Sequence, residues 1–152
     1  MAKPQDDRPS ELRARLAGFD DPAALLESLF TASPVAYQIF DVDGHCRLVN
    51  DAYLGLFGSA PPPDYSILTD KTAAANGNLA LIHRAFAGER ITLPPFRYDP
   101  RELHAAFATP GRVLTLVSSF FPLRAADGRV IFVGLAYKDV TAENEARELA
   151  EA

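Results

Sequence analysis

The sequence predicts a mixed α+β domain, and three observations carry that prediction. Two segments read as β-hairpins, one from Val35 to Asn50 around Asp43 and Gly44, the other from Arg112 to Lys138 around Asp127 and Gly128. Each joins runs rich in Val, Ile, Tyr and Phe through a turn that tolerates the positive backbone angles of tight hairpins. Around them lie segments whose apolar residues recur at helical spacing. The second hairpin also runs directly into Asp139, Val140 and Thr141, which open a polar, glutamate-rich stretch expected to be helical. A terminus of this kind is suited to passing a signal onward.

The elements follow in chain order. Met1 to Ser10 has the charge and proline content of a disordered lead-in. Ser10 to Phe19 sets Leu12, Leu16 and Phe19 at helical spacing. Asp21 and Pro22 make an N-cap and first-turn pair for a second helix, Pro22 to Thr31, which carries Leu25, Leu26, Leu29 and Phe30 on one face. Pro34 ends that helix, because its ring removes a donor and pushes Ser33 toward extended geometry. After the first hairpin, Asn50 or Asp51 caps a helix over Asp51 to Phe57, which Gly58 and the run Pro61, Pro62, Pro63 stop. A loop follows. Asn76 to Gly88 is expected to be a further helix, with Leu79, Ile82, His83 and Phe86 as its apolar stripe.

Glu89 to Tyr98 reads as extended, interrupted by Pro94 and Pro95 in the manner of an edge or a bulge. Asp99 to Phe107 reads equally as a short capped helix or as strand. In the strand Arg112 to Pro122, Leu116, Ser118 and Phe120 share one face, and Thr115, Val117, Ser119 and Phe121 share the other. In Arg129 to Lys138, Phe132, Gly134 and Ala136 oppose Ile131, Val133, Leu135 and Tyr137. A sheet apolar on both faces must be covered twice. The central helices provide one cover, and the helix Pro22 to Thr31, a second subunit, or both provide the other, which implies a homodimer.

Length and charge bound the class. A chain of 152 residues, 48% hydrophobic, suits one globular domain with short extensions. The net charge is -5 and Lys and Arg form no stripe, so nucleic acid is not expected as a direct partner. Cys46 is the single cysteine, which rules out an internal disulfide and fits a reducing, cytoplasmic setting. No apolar run approaches the roughly 18 residues that span a bilayer, so no membrane segment is expected in this chain.

The hairpin at Asp43 and Gly44, the segment Val49, Asn50, Asp51, Ala52, and the run from Asp127 and Gly128 through Gly134 to Asp139, Val140 and Thr141 together resemble a PAS sensory domain. The resemblance covers about Ser33 to Thr141. It implies a five-stranded antiparallel sheet with short helices on one face, a central pocket, and a C-terminal signalling helix leading to an effector. It divides the chain into an N-terminal segment with helices (1–32), a PAS domain (33–140) and the start of a signalling helix (141–152).

Departures from the family's cofactor-binding branches are informative. The flavin-binding LOV branch carries its reactive cysteine in a short helix within an Asn-Cys-Arg motif, whereas Cys46 stands in the first hairpin. The amides such domains aim at flavin would fall near Leu116 and Ala136, which offer no polar side-chain atom. Haem-binding PAS domains take their iron ligand near the start of the helix matching Asn76 to Gly88, one turn before His83. Flavin and haem are therefore disfavoured, and the cofactor is left unspecified.

His83 has two readings, an iron ligand aimed at the sheet or a core-edge histidine bonded to backbone; the lack of a second ligand favours the latter. His45 and His104 are expected to be exposed, and no spacing of His, Cys or carboxylates suggests a metal site. The small residues Ser118, Gly134 and Ala136 would leave volume beside the sheet, and Tyr37, Tyr53, Phe57, Phe86, Phe96 and Phe120 would ring it. The same aromatic residues are also consistent with plain core.

No phosphate-binding glycine loop, nucleophile elbow or kinase motif is present, so catalysis is not expected. The expected function is a sensor that binds a small molecule or partner and relays its state through Asp139 and Thr141 to a downstream effector, such as a two-component histidine kinase. Asp139 would fix the strand-to-helix junction and Thr141 would cap the helix. The alternatives are a ligand-free dimerisation module and, from another class, a small-molecule enzyme on a cone-shaped α+β fold, which would need a buried acid with a shifted pKa.

Overall fold

The computed structural model describes residues 8–99 and 113–152. Two helices lead in, α1 (Arg8–Leu16) and α2 (Pro22–Ala32), followed by β1 (Ala36–Asp41), β2 (Cys46–Val49) and α3 (Asp51–Phe57). A 3-10 turn, Ile67–Thr69, precedes α4 (Lys71–Ala75) and α5 (Leu79–Phe86). The strands β3 (Ile91–Thr92), β4 (Phe96–Tyr98), β5 (Leu114–Arg124) and β6 (Val130–Asp139) then lead into α6 (Thr141–Glu151).

The described strands form one antiparallel sheet in the order β2-β1-β6-β5-β3, with β4 also pairing with β5. This is the expected α+β architecture, with one difference. The extended segment over Glu89 to Tyr98 is two short strands, because Pro94 and Pro95 offer no N–H to a ladder and break it between Thr92 and Phe96.

The helix expected over Asn76 to Gly88 is likewise interrupted at its start. Asn76 closes α4, Gly77 adopts φ +82°, and α5 begins only at Leu79. Within α5 the buried side chains are Ile82 and Ala85, with Leu79 and Phe86 half-buried. His83 is exposed beside this line rather than on the apolar stripe. The helix or strand expected over Asp99 to Phe107, the start of the strand at Arg112 and the exposure of His104 lie outside the described residues.

One face of the sheet is the core face. On it Phe40, Val133 and Leu135 are almost fully buried, packed with Ile67, Ala73, Ile82 and Ala85 from the helical side and with Ile91 of β3, while the equally buried Leu116 packs with Tyr98 and Leu114. Each of the Phe, Leu, Val and Ile side chains contributes about 1.5–3 kcal/mol relative to exposure. The other face is half-buried, and α2 lies against part of it. Phe30 stacks on Tyr37 with centroids 6.3 Å apart, and Tyr37 meets Phe121 edge-on at 6.3 Å. Phe121 in turn lies over Gly134, its partner on β6, where a Cβ would stand 2.4 Å from the ring.

Asn50 ties these layers together. Its Oδ1 accepts from the amides of Tyr37 (2.9 Å) and Tyr53 (3.1 Å), and its Nδ2 donates to the carbonyls of Phe30 (3.0 Å) and Val35 (2.8 Å). The side-chain amide thus caps α3 while holding the end of α2 to the start of β1, with both donors and the acceptor oxygen committed.

Candidate functional site: a cavity beside the strand-to-helix junction

A cavity of about 300 Å³ lies between the core face of the sheet and the segments from α3 to α5. The sheet contributes Gln38 and Phe40 from β1, Phe96, Arg97 and Tyr98 from β4, Ser118 and Phe120 from β5, and Leu135 and Tyr137 from β6. Tyr53 and Phe57 of α3 form a second wall. The loop beyond α3 adds Ser59, Pro61, Pro62 and Tyr65, and the α4–α5 region adds Asp70, Asn76, Asn78 and Ile82.

Strand register decides which side chains face this space. Ser118 is opposite Tyr137 and Phe120 is opposite Leu135, so these four share the cavity face. Ala136 is opposite Ser119 and Gly134 is opposite Phe121, which puts both on the other side of the sheet. The expectation that Ala136 and Gly134 leave volume in the pocket is therefore corrected: Leu135 and Tyr137 face the cavity instead. Tyr37 also belongs to the outer face, against Phe30.

Of the other residues singled out from the sequence, Tyr53, Phe57, Phe96, Ser118 and Phe120 line the cavity. Phe86 does not; it packs near Phe40, with ring centroids 6.1 Å apart, among the core side chains. His83 is also not a lining residue. Its Nε2 is 3.2 Å from the carbonyl oxygen of Leu68, the backbone-bonded arrangement of the simpler reading. His45, expected to be exposed, is half-buried, with Nδ1 3.0 Å from the Tyr65 carbonyl. Among the described residues no cluster of three His, Cys, Asp or Glu side chains could hold a metal ion.

The polar groups of the wall were not legible as a set. Tyr137 donates to Gln38 Oε1 at 3.0 Å, and Gln38 is itself buried. Tyr65 donates to the Asp70 carboxylate, whose other oxygen caps α4 by accepting from Ala73 N at 2.8 Å. Burial raises the Tyr53 and Tyr137 hydroxyls well above the ordinary tyrosine range, and burial together with the Asp70 hydrogen bond does the same for Tyr65. Burial, then the nearby Asp99 charge, also raises Tyr98. Tyr53, Phe57 and Tyr137 form an aromatic cluster, with Phe57 and Tyr137 4.9 Å apart.

The strands that wall the cavity also carry the C-terminal junction. Asp139 Oδ1 accepts from the Thr141 amide (3.0 Å) and from the Thr141 hydroxyl. Thr141 Oγ1 in turn accepts from Thr115 N at 2.9 Å, and Val140 N donates to Thr115 O at 2.9 Å. Thr141 is the first helical residue, is 8% exposed, and reaches back to β5 instead of capping α6. Tyr137 precedes Asp139 by two residues on β6, so cavity wall and helix start share one strand.

No protein-family model matches the sequence, and no curated protein matches it. Solved structures do. The PAS domain of Bordetella pertussis BvgS is similar over 87% of this chain and 96% of that one, at 21% identity and a TM-score of 0.56. The PAS domain of an HTR-like protein from Haloarcula marismortui covers 80% of this chain and 99% of its own, at 18% identity and TM-score 0.53. A domain of a sensory box sensor histidine kinase/response regulator from Geobacter sulfurreducens covers 86% and 98%, at 19% identity and TM-score 0.52. With the sheet order, the central cavity and the helix leaving the last strand, these likenesses establish that the chain has the PAS-domain fold.

Proposed function

We propose that this chain is a sensory module that binds a small molecule in the cavity and relays occupancy through β5 and β6 to α6. The observation that carries the reading is the shared strand: Tyr137 lines the cavity and Asp139, two residues on, holds the start of α6. A ligand that moves the Tyr137 ring displaces a backbone whose next hydrogen bonds fix that helix. The exposed α6 would then hand the change to a downstream effector such as a two-component histidine kinase, in the cytoplasm and without catalysis by the chain itself.

Native mass spectrometry and an absorption spectrum of freshly purified protein test the binding step, because a retained metabolite adds mass and a haem or flavin absorbs visibly. Asp139→Ala tests the relay. It should uncouple output in a reconstituted receptor while ligand affinity is retained; unchanged signalling by the variant refutes the role given to Asp139.

A second reading, an interaction module that dimerises without ligand, is favoured by one observation. Leu26 and Leu29 of α2 are 68% and 63% exposed beside the half-buried outer face of the sheet. In either reading that apolar surface is where a homodimer would form. Replacing Leu26 and Leu29 together by Glu should shift the mass in light scattering from dimer to monomer, and a mass unaffected by the change refutes this interface.

A further inference from the structure

The cavity wall specifies the chemistry of an occupant. Its lining is dominated by rings and aliphatic side chains, Phe57, Phe96 and Phe120 among them. A ligand body that is apolar and flat therefore gains most, since rings stack or meet edge-on at little conformational cost. Charge is poorly served. Among the described lining residues only Asp70 and Arg97 carry charge at neutral pH; Asp70 already accepts from Ala73 N and from Tyr65, and Arg97 is exposed. An ionised group in the interior would lie in a low-dielectric space without a counter-charge.

Two polar atoms stand out against this lining. Tyr98 is 3% exposed, and its hydroxyl is shut off from solvent without a hydrogen-bond partner among the described residues. The Ser59 hydroxyl is in the same condition, and both side chains line the cavity. Buried hydroxyls are ordinarily paired, because an unpaired one keeps its desolvation penalty. Tyr98 is also held in place: Phe57 packs against its ring edge-on with centroids 5.0 Å apart, and its backbone pairs with Leu114 of β5.

Resting on the reading of the cavity as a ligand site, we propose that it takes an uncharged, flat, ring-bearing molecule with a hydrogen-bonding group at its edge, which pairs with the Tyr98 hydroxyl and, secondarily, with Ser59. Tyr98 is then the specificity-determining residue. A ligand carbonyl, hydroxyl or ring nitrogen satisfies the phenol, whereas the hydrocarbon of the same shape leaves it unpaired and binds more weakly.

Three probes of one shape test this on the full chain by amide NMR titration: naphthalene, 2-naphthol and 2-naphthoate. The expected order has 2-naphthol tightest, by about tenfold over naphthalene, with 2-naphthoate weakest. Tyr98→Phe should bring the 2-naphthol to naphthalene ratio close to one while naphthalene affinity holds, and its melting temperature should not fall, since the ring contact with Phe57 remains. Ser59→Ala should lower the ratio by a smaller factor. Tightest binding by 2-naphthoate, or discrimination that persists in Tyr98→Phe, overturns the assignment but leaves the cavity as a ligand site. Failure of all three probes to shift cavity resonances removes the ligand-site reading and this inference with it.

Discussion

Asn50 offers the sharpest test of how the layers are joined. Its side chain makes four hydrogen bonds, to Tyr37, Tyr53, Phe30 and Val35, at 2.8–3.1 Å, and is 3% exposed. Asn50→Ala removes the α3 cap, at about 1 kcal/mol, and three further bonds at roughly 0.5–1.5 kcal/mol each. The loss should reach about 3–5 kcal/mol, a large part of the stability of a domain this size. Urea unfolding followed by far-UV circular dichroism measures it, and hydrogen exchange should show the amides of α2 opening more readily.

Asn50→Asp separates the two halves of the amide. The carboxylate keeps the acceptor for Tyr37 N and Tyr53 N but turns a second oxygen toward the carbonyls of Phe30 and Val35. Burial and those carbonyls raise the folded-state pKa of the new acid above its unfolded value of about 3.9. The folded state then binds more protons than the unfolded one, so stability of the variant falls as pH rises through this window. Its deficit relative to the parent should shrink on acidification from neutral pH toward about pH 4. A loss below about 1 kcal/mol for Asn50→Ala, or a pH-independent deficit for Asn50→Asp, would refute the joint.

Other expectations follow from single contacts. Thr141→Val removes the acceptor for Thr115 N and the donor to Asp139, so exchange of the Thr115 amide should accelerate and stability should drop by about 1–3 kcal/mol; an unchanged Thr115 amide would show that the Thr141 hydroxyl does not hold α6 to β5. Gly134→Ala places a Cβ 2.4 Å from the Phe121 ring and should cost about 1–3 kcal/mol, much of it recovered when Phe121 is also reduced to Ala; additive losses in the double-mutant cycle would deny the contact. The Tyr53, Tyr65 and Tyr137 hydroxyls stay protonated in the fold above their ordinary value of about 10, so stability should be fully present below that pH and decline above it. Absorbance titration at 295 nm should show these phenols ionising late and together with unfolding, and smooth ionisation near pH 10 would refute their burial in the cavity wall.

What the sequence determined by itself is local. The turn at Asp43 and Gly44, the break at Pro34, a cap at Asn50 or Asp51, of which the fold uses Asn50, and the stop at Gly58 were legible because each is set by backbone preferences of a few neighbouring residues. Alternation along β5 was legible for the same reason, so Ser118 and Phe120 were correctly set on one face. Tertiary structure decided how strands meet. Alternation states which residues share a face within one strand, but only the pairing of Ser118 with Tyr137 puts Leu135 and Tyr137, and not Gly134 and Ala136, at the cavity. The loop beyond α3 has no period to read, so Ser59, Tyr65 and Asp70 reached the wall unannounced. His83 left the expected stripe because α5 turns the side that carries Ile82 and Ala85 toward the core, which leaves His83 at the exposed margin. Short-range geometry is written in adjacent residues, whereas facing and register depend on contacts between strands far apart in the chain, and those form only when the sheet does.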